Sequence, residues 1–273
     1  MLTQLEKGQA FRALHQRDGA FLIPNPWDTG TAKLLAHLGF EALATTSAGY
    51  AFSEGKPDGG VDRDRMLEHL AAVAAATGLP VSADLGNGFG DAPATAAETI
   101  TRAAATGIVG GSIEDATTDP DHPIYDLPHA IERIQAAAEA AHALPFPFTL
   151  TARAENYLCG RPDLADTIAR LQAYQEAGAD VLYAPGLTGL EEIAAVVRSV
   201  DRPVNVLAGL KGASLSQSEL SAIGVKRISV GGALARAALG AFLRAAEEMQ
   251  THGTFTFVNE AANFAWLNQA FME

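Results

Sequence analysis

The chain alternates short apolar runs with longer segments in which apolar residues recur at the helical period of about 3.6 residues. Several of the longer segments end in a glycine just before the next apolar run, as a helix C-cap does. Strands are predicted at Ala20–Pro24, Ala42–Thr46, Val81–Asp84, Gly110–Glu114, Phe148–Arg153, Val181–Ala184, Val204–Leu207 and Arg227–Val230. Helices are predicted at Gly30–Leu38, Arg63–Thr77, Pro93–Ala105, Leu127–Ala143, Leu164–Ala177, Gly189–Val200, Ser216–Ile223 and Leu234–Thr251.

These eight strand–helix pairs follow one another at a spacing of roughly 25 to 35 residues, which is typical of parallel βα units. No linker, low-complexity tract or change in composition divides them, so we expect one domain over residues 1–273. Eight pairs in a chain of this length predict an α/β fold, a (β/α)8 TIM barrel rather than an open sheet.

The tail from about residue 255 adds one more amphipathic segment, Asn259–Glu273, with the apolar residues Phe264, Trp266, Leu267 and Phe271. Because the predicted barrel is complete without this segment, its aromatic side chains must be buried elsewhere. We expect this extra C-terminal helix to pack on a neighbouring subunit of a homo-oligomer. Packing on its own barrel is the alternative.

The composition narrows the classes of partner. A formal net charge of −13 at pH 7 argues against nucleic acid or an anionic membrane surface. An anionic substrate would therefore need a local cation, either a metal or a specific arginine. The single cysteine, Cys159, excludes an internal disulfide framework and fits a reducing cytoplasm. We see no signal peptide and no run of about 18 apolar residues, and we expect a cytoplasmic protein with no membrane partner.

The glycine-rich stretch Val81–Asp91, with the sequence VSADLGNGFGD, follows the third predicted strand. Glycines allow tight turns and a close approach of the backbone to a ligand. The spacing is G-x-G-x-G and not the G-x-G-x-x-G of dinucleotide-binding turns. The stretch therefore favours a site for a metal or an acid over a nucleotide site.

Polar residues at the ends of the predicted strands are candidates for a functional site, because the carboxyl ends of barrel strands converge on one face. This set comprises Trp27, Asp28, Ser47, Asp84, Glu114, Asp115, Arg153, Glu155 and Asn205. Two or three carboxylates around one point suit a hard cation such as Mg²⁺. The planar fork of Arg153 would match a substrate carboxylate.

Each of these residues also has a purely structural explanation. Asp84 could cap the helix that follows it, and Glu114 could pair with a lysine or arginine of the barrel. Arg153 could form an internal ion pair with Glu155 or Glu114. These alternatives remain open from the sequence alone.

Six motifs in order carry a resemblance that extends over nearly the whole chain. They are TTSAG (Thr45–Gly49), GKPD (Gly55–Asp58), ADLGNGFGD (Ala83–Asp91), GSIEDA (Gly111–Ala116), TARAENY (Thr151–Tyr157) and GVKRISVGG (Gly224–Gly232). With this combination the chain resembles the isocitrate lyase/phosphoenolpyruvate mutase superfamily. The resemblance implies a Mg²⁺-dependent barrel, with Mn²⁺ as a possible substitute. Such enzymes act on small 2-oxo or 2-hydroxy carboxylic acids and make or break C–C or C–P bonds through an enolate.

The resemblance also implies roles for individual residues. Asp84 resembles the direct metal ligand, and Glu114 resembles an outer ligand that acts through water. Arg153 resembles the arginine that binds the substrate carboxylate. Asp58 resembles the aspartate of a mobile loop that reaches the reacting group, so Asp58, Arg153 and Glu114 are the predicted catalytic residues. The predicted substrate-binding residues are Ser47, Ala48, Gly49, Asp84, Arg153 and Asn205.

Two departures from the superfamily pattern affect the predicted activity. The superfamily usually has a second acid two residues after Asp84, where this chain has Gly86, so metal affinity could be weaker. The loop Ala116–Asp126, ATTDPDHPIYD, has neither the lysine and cysteine of isocitrate-type lyases nor the lysine and asparagine of the mutase branch. In this loop His122 is the side chain best suited to move a proton near neutral pH, although an exposed histidine without a role is the favoured interpretation.

Three functions are compatible with these observations. The leading hypothesis is a Mg²⁺-dependent lyase that cleaves a C–C bond in an acid such as oxaloacetate, isocitrate or 2-methylisocitrate. The second is a C–P enzyme, a phosphoenolpyruvate mutase or phosphonopyruvate hydrolase, which Asp58 supports and the missing loop lysine opposes. The third is a non-catalytic barrel that binds 2-oxo acids. By resemblance to the superfamily we also expect a dimer of dimers.

Overall fold

The computed structural model describes residues 2–212 and 214–272, so Met1, Ala213 and Glu273 of the predicted domain lie outside the described residues. Eight parallel strands form one sheet in the order β1-β8-β7-β6-β5-β4-β3-β2. A backbone hydrogen bond of 3.1 Å from Ala44 to Pro24 links the two ends of this sheet into a nearly closed barrel. The strands are β1 Phe21–Ile23, β2 Leu43–Ala44, β3 Val81–Asp84, β4 Gly110–Glu114, β5 Thr149–Arg153, β6 Val181–Tyr183, β7 Val204–Leu207 and β8 Arg227–Ser229. The predicted (β/α)8 fold is confirmed.

The described helices include all eight that the sequence predicts, with ends shifted by a few residues at most. They are α1 Gln4–Gln16, α2 Thr29–His37, α3 Ser47–Ser53, α4 Arg63–Ala76, α5 Pro93–Ala104, α6 Leu127–His142, α7 Leu164–Glu176, α8 Leu190–Ser199, α9 Gln217–Ala222, α10 Ala233–His252 and α11 Phe264–Met272, with a 3₁₀ turn at Thr256–Glu260. No described helix combines the length and the apolar character that crossing a membrane requires.

Two helices, α1 and α3, were not predicted. α1 begins with a capping box in which Thr3 and Glu6 bond each other's backbone N–H, a signal that the sequence does carry. Its Phe11 is fully buried against Phe21 at the amino-terminal end of the barrel. The segment that forms α3, SAGYAFS, has weak helix propensity, and it begins at Ser47, one of the residues assigned to the site.

The position of helix α10 differs from the one predicted. The sequence predicts it as the eighth barrel helix, but of its 20 residues only Ala235 is buried. On the outer side of β1, Leu22 is 39% exposed although its neighbours Phe21 and Ile23 are buried. Because α10 does not lie against the barrel, the outer face of β1 is left partly uncovered.

The tail lies on its own barrel along one side. Trp266 of α11 makes an edge-to-face contact with His37 of α2, with ring centroids 5.7 Å apart. Ala270 is buried, whereas Phe264 remains 83% exposed. Part of the tail therefore packs on its own barrel, which was the alternative expectation. Association with a second subunit stays a prediction.

Arg133 of α6 holds the glycine-rich loop that leads from β3 to α5. Its guanidinium donates to the backbone carbonyls of Gly90 at 2.6 Å and Asp91 at 2.5 Å, and also to that of Asn87. Within the loop, Phe89 has a φ of 63°, the only positive φ among the described non-glycine residues. A left-handed conformation is unfavourable for an aromatic residue, so the loop needs this external support.

Two histidines are buried without a hydrogen-bond partner for Nε2, namely His15 and His69. The His69 ring stacks on Tyr50, with centroids 3.8 Å apart. Burial lowers the pKa of His69 to about 4 and that of His15 to about 3. Both imidazoles are therefore neutral at neutral pH, and their protonation opposes folding.

We expect stability to fall as the pH is lowered from 6.5 to 4, because the native state then binds fewer protons than the unfolded chain. His69 contributes at most about 1.4 kcal/mol per pH unit to this loss. His69→Phe keeps the ring stack and should flatten the dependence of the unfolding free energy on pH, measured by urea denaturation. The exposed residue His252 gives the control, His252→Phe. Equal slopes in wild type and His69→Phe would contradict this interpretation.

We also expect Arg133→Met to lower the free energy of unfolding by about 3–5 kcal/mol, because three buried carbonyls lose their donor. Chemical denaturation of this variant and of Arg198→Met, a substitution on the exposed side of α8, measures the difference. A loss below about 1 kcal/mol in Arg133→Met would mean that the loop holds its conformation without the clamp.

Candidate active site

The carboxyl ends of the strands surround a cavity of about 840 Å³. Seven of the eight residues that the sequence assigns to the site line this cavity, namely Ser47, Ala48, Asp58, Asp84, Glu114, Arg153 and Asn205. Gly49 is not among the lining residues. Its N–H donates to the Thr46 hydroxyl, and a Cβ at Gly49 would lie 2.6 Å from the Thr46 methyl group. Gly49 is therefore a packing position behind the site.

Arg153, the last residue of β5, is at the centre of the charged groups. Its Nη1, Nη2 and Nε donate to Asp84 at 2.9 Å, Glu114 at 3.0 Å and Glu155 at 2.8 Å. Its guanidinium also lies 5.3 Å from the centre of the Tyr183 ring. Burial works against the positive charge, but the three carboxylates outweigh it and hold the pKa of Arg153 well above its ordinary value. Arg153 therefore does form the internal ion pair that was the alternative to a substrate-binding role, and it pairs with three acids.

Asp84 ends β3 and connects Arg153 to α3. Its Oδ2 accepts from the backbone N–H and from the hydroxyl of Ser47, both at 2.9 Å. Asp84 was expected to cap the helix that follows it in sequence. In the structure it instead accepts from the first N–H of α3. Thr46 is the N-cap of α3 and accepts from the Gly49 N–H, and Asp84 adds an acceptor for the Ser47 N–H, so both support the start of this helix.

Asp58 approaches the same group from the segment after α3. The Ser47 hydroxyl lies 3.2 Å from Asp58 Oδ1 as well as 2.9 Å from Asp84. A hydroxyl has only one proton, so Ser47 can donate to one of these carboxylates at a time. A change at Asp58 is therefore transmitted to Asp84 through Ser47.

Glu114, the last residue of β4, has the most perturbed carboxyl group of the site. Burial raises its pKa to about 8, with further increases from Glu155, Asp84 and Asp58, while Arg153 lowers it. Burial raises the pKa of Glu155 as well, against the effect of Arg153. Three carboxyl groups thus share one guanidinium, with Asp58 close by through Ser47, and the acids outnumber the cation.

The donor set fits a hard divalent cation. Among the described residues, no three or more histidine, cysteine or carboxylate side chains form a complete cage for a metal. Mg²⁺ needs no such cage, because it commonly keeps several waters and takes one or two carboxylates. Asp84 and Glu114 provide oxygen ligands in a place where negative charge is in excess. At Gly86, with a φ of +53°, a Cβ would meet nothing within 4 Å, so the position has space for water in place of the second acid that the superfamily pattern implies.

The loop 116–126 contributes Ala116, Thr117 and Thr118 to the cavity wall, but neither His122 nor Tyr125. It folds on itself through a bridge between Ala116 and Ile124. The His122 side chain is 83% exposed and its Nδ1 lies 3.1 Å from Asp119. Tyr125 donates to Asp91 at 2.6 Å, in the glycine-rich loop. The favoured interpretation of His122, an exposed side chain outside the cavity, agrees with this arrangement.

Three further groups of the cavity wall were not assigned to the site from the sequence, namely Tyr183, Arg227 and Ser229. Arg227 and Ser229 flank Ile228 in β8, so the alternation of a strand places both on one side. A charged residue at the start of a short buried strand was the signal that could have identified Arg227. Cys159 is outside the lining set, and burial raises the pKa of its thiol to about 11, so it is a poor nucleophile.

The comparisons with known proteins agree with this geometry. The phosphoenolpyruvate phosphomutase family matches residues 11–250. An uncharacterised protein of Mycobacterium tuberculosis is 32% identical over 223 residues, covering 81% of each chain. The 2-methylisocitrate lyase of Escherichia coli is 28% identical over 205 residues, covering 72% of this chain and 68% of that enzyme.

Solved structures share the fold. One from Burkholderia cenocepacia J2315, provisionally assigned as a lyase/mutase, is 67% identical with a TM-score of 0.97 and covers 99% of this chain and 97% of its own. Oxaloacetate acetylhydrolase with its product oxalate is 24% identical, with a TM-score of 0.87 and coverages of 97% and 94%. Phosphonopyruvate hydrolase with oxalate and Mg²⁺ is also 24% identical, with a TM-score of 0.86 and coverages of 99% and 95%.

These relatives include enzymes that act on C–C bonds and on C–P bonds, and the predicted assignment to an enzyme superfamily is confirmed. The family match spans most of the barrel, from α1 to α10. The chain therefore belongs to the phosphoenolpyruvate phosphomutase family, within the isocitrate lyase/phosphoenolpyruvate mutase superfamily.

Proposed function

We propose that the chain is a Mg²⁺-dependent lyase that cleaves the C3–C4 bond of a small 2-oxo dicarboxylic acid of the oxaloacetate type, the bond whose electrons can pass into an enolate of the 2-oxo group. The observation that carries the proposal is the group of Asp84, Glu114 and Glu155 around Arg153 in one cavity. Oxalate and Mg²⁺ in the phosphonopyruvate hydrolase structure, and oxalate in oxaloacetate acetylhydrolase, support it by analogy.

Arg153 retains donors for a substrate carboxylate. An arginine has five N–H groups, and the three acids take one from each nitrogen. One N–H therefore remains on each terminal nitrogen, a pair that suits the two oxygens of a carboxylate. Ala48, at the start of α3, also lines the cavity, and its backbone N–H would bind another oxygen of the acid.

Asp84 would hold the metal directly, and Glu114 would hold it through water. When bound, Mg²⁺ supplies positive charge beside the carbonyl oxygen where negative charge develops as the bond breaks. The raised pKa of Glu114 fits this role, because a carboxylate that is difficult to ionise in the metal-free site gains most from a nearby cation. The same oxygen donors also suit Mn²⁺.

The loop 116–126 has neither the lysine nor the cysteine of isocitrate-type lyases, and this favours decarboxylation over other C–C cleavages. Loss of CO₂ from a 2-oxo dicarboxylic acid leaves an enolate that needs only a proton from solvent. Neither His122 nor Tyr125 of the loop 116–126 is placed to deliver that proton, since His122 is exposed and Tyr125 bonds Asp91. A lyase that must protonate a larger released fragment would need a placed acid.

The C–P reaction is the second candidate, and one specific contact favours it. Asp58 lies 3.2 Å from the Ser47 hydroxyl, where it could reach a transferring group. The absence of a lysine in the loop 116–126 weakens this candidate. A binding protein without catalysis is the third candidate, supported by Gly86.

We expect the purified protein to release pyruvate from oxaloacetate in the presence of Mg²⁺, and chelation to abolish this release. Asp84→Asn and Arg153→Met should each lower kcat/KM by about 100-fold or more, because they remove a metal ligand and the carboxylate partner. His122→Gln should leave kcat within about twofold. Isocitrate, 2-methylisocitrate and phosphonopyruvate complete the substrate panel.

Faster turnover of phosphonopyruvate would favour the C–P candidate. Binding of oxalate without turnover of any acid would favour the binding protein. A drop of about 100-fold in kcat for His122→Gln would instead assign proton transfer to the loop.

The protein is also proposed to act as a homo-oligomer in which a second copy covers α10 and the tail. Phe242 and Leu243 on α10 are 67% and 63% exposed, and Phe255 beyond it is 64% exposed. Together with Leu22 on β1, these are large apolar side chains left in contact with water, as is typical of association surfaces. A symmetric pair of subunits would bury both faces.

We expect multi-angle light scattering at micromolar concentration to give a dimer or a dimer of dimers. Phe242→Glu combined with Leu243→Glu should weaken the association by about tenfold or more, because charges enter an apolar interface. Leu2→Glu, at an exposed apolar position of the N-terminus, is the control. A monomeric wild type would contradict the proposal.

A further inference from the structure

A second polar layer lies two residues below the charged groups, and Ser82 and Ser112 of this layer line the cavity. In β3, β4 and β5 the residues two positions before Asp84, Glu114 and Arg153 are Ser82, Ser112 and Thr151. Residues two apart in a strand point to the same side and are about 6.6 Å apart, so these hydroxyl groups form the next layer into the barrel. On the other side of the barrel, Asn205, Arg227 and Ser229 also line the cavity.

Arg227 is the only charged residue of this deeper layer. Its Nε donates to Asn205 Oδ1 and its Nη2 donates to Thr151 Oγ1, both at 2.9 Å. Its Nη1 has no hydrogen-bond partner among the described residues, although the side chain is 5% exposed. No described carboxylate lies within 4.0 Å of its nitrogens, so the positive charge has no counter-ion in direct contact.

The other largely buried arginines are satisfied in a different way. Arg133 donates to three backbone carbonyls, Arg153 to three carboxylates, and Arg170 to Asp115 and Asp166. Arg227 has only neutral partners, a threonine hydroxyl and an amide. Burial accordingly lowers its pKa to about 10. A buried guanidinium without a counter-ion is unfavourable for folding, so a structural role alone does not explain it.

The two layers have opposite electrostatic character. Around Arg153 three carboxyl groups share one guanidinium, and a second negative group of a ligand would be repelled there. Around Arg227 the wall consists of hydroxyl and amide groups with one uncompensated positive charge. Since β5 and β8 are three strands apart in an eight-stranded barrel, Arg153 and Arg227 face the cavity from different walls.

We propose that Arg227 binds the second carboxylate of the substrate, the one remote from the 2-oxo group, and so selects dicarboxylic acids. This inference rests on the proposed function, because it requires the 2-oxo end of the acid to be bound at Arg153. The Nη1 N–H groups and the charge of Arg227 are the recognition elements. Asn205 and Thr151 hold the guanidinium in place.

Isothermal titration with two ligands tests the proposal without turnover. Oxalate contains only the part of the substrate that would be bound at Arg153. The analogue 3,3-difluorooxaloacetate adds a remote carboxylate. In the presence of Mg²⁺, Arg227→Met should weaken binding of the analogue by about 10- to 100-fold and binding of oxalate by no more than about twofold. Arg227→Lys keeps the charge and should give an intermediate affinity for the analogue.

The unfolding midpoint provides the control for folding. Arg227→Met replaces an uncompensated buried charge with an apolar side chain, so the variant should be at least as stable as the wild type. Arg198→Met, outside the cavity, should change neither affinity. Unchanged affinity for the analogue in Arg227→Met would overturn the proposal, as would equal weakening of both ligands.

The test also separates this inference from the proposed function. A wild type that binds neither ligand in Mg²⁺ would defeat the proposed function, and the subsite would fail with it. If the wild type binds oxalate but the affinity for the analogue is the same in Arg227→Met, the subsite at Arg227 is wrong and the proposed function still stands. A third outcome is that formate stabilises the wild type but not Arg227→Met, while both proteins bind the analogue equally well. The deeper layer would then bind a free anion, and the proposal would be wrong.

Discussion

The site depends on the guanidinium of Arg153. Asp84, Glu114 and Glu155 come from three neighbouring parts of the sheet, and without a shared cation their charges would repel one another inside the barrel. The parallel register that pairs Glu114 with Arg153 brings these residues side by side. The geometry of the strands and the charge of one side chain therefore build the site together.

One guanidinium does not neutralise the acids around it. Burial is the main reason that the pKa of Glu114 is raised, and the neighbouring acids add to it, so a divalent cation would favour its ionised form. Ser47 extends the network to Asp58, which belongs to a separate segment after α3. A ligand or metal that alters one carboxylate would therefore change the protonation and hydrogen bonding of the others.

The interior of this barrel is unusually polar for its fold. TIM barrels generally fill their interior with bulky apolar side chains. Here Ser82, Ser112, Asn205 and Arg227 line a cavity that continues below the charged layer. The fold must recover the lost apolar packing elsewhere, and the strand–helix interfaces are accordingly rich in fully buried residues such as Leu70, Ile100 and Leu171.

The periodicity of the sequence determined the eight βα units, and with them the residues that end the strands, because both depend on local patterns of apolar and polar positions. Asp84, Glu114 and Arg153 could be assigned to one face for this reason. Only the tertiary structure decided that all three are bonded together with Glu155, that Gly49 packs behind the site and that α10 leaves the barrel. It also decided that Arg227 lacks a counter-ion. These features arise from contacts between residues far apart in the sequence, which no local pattern encodes.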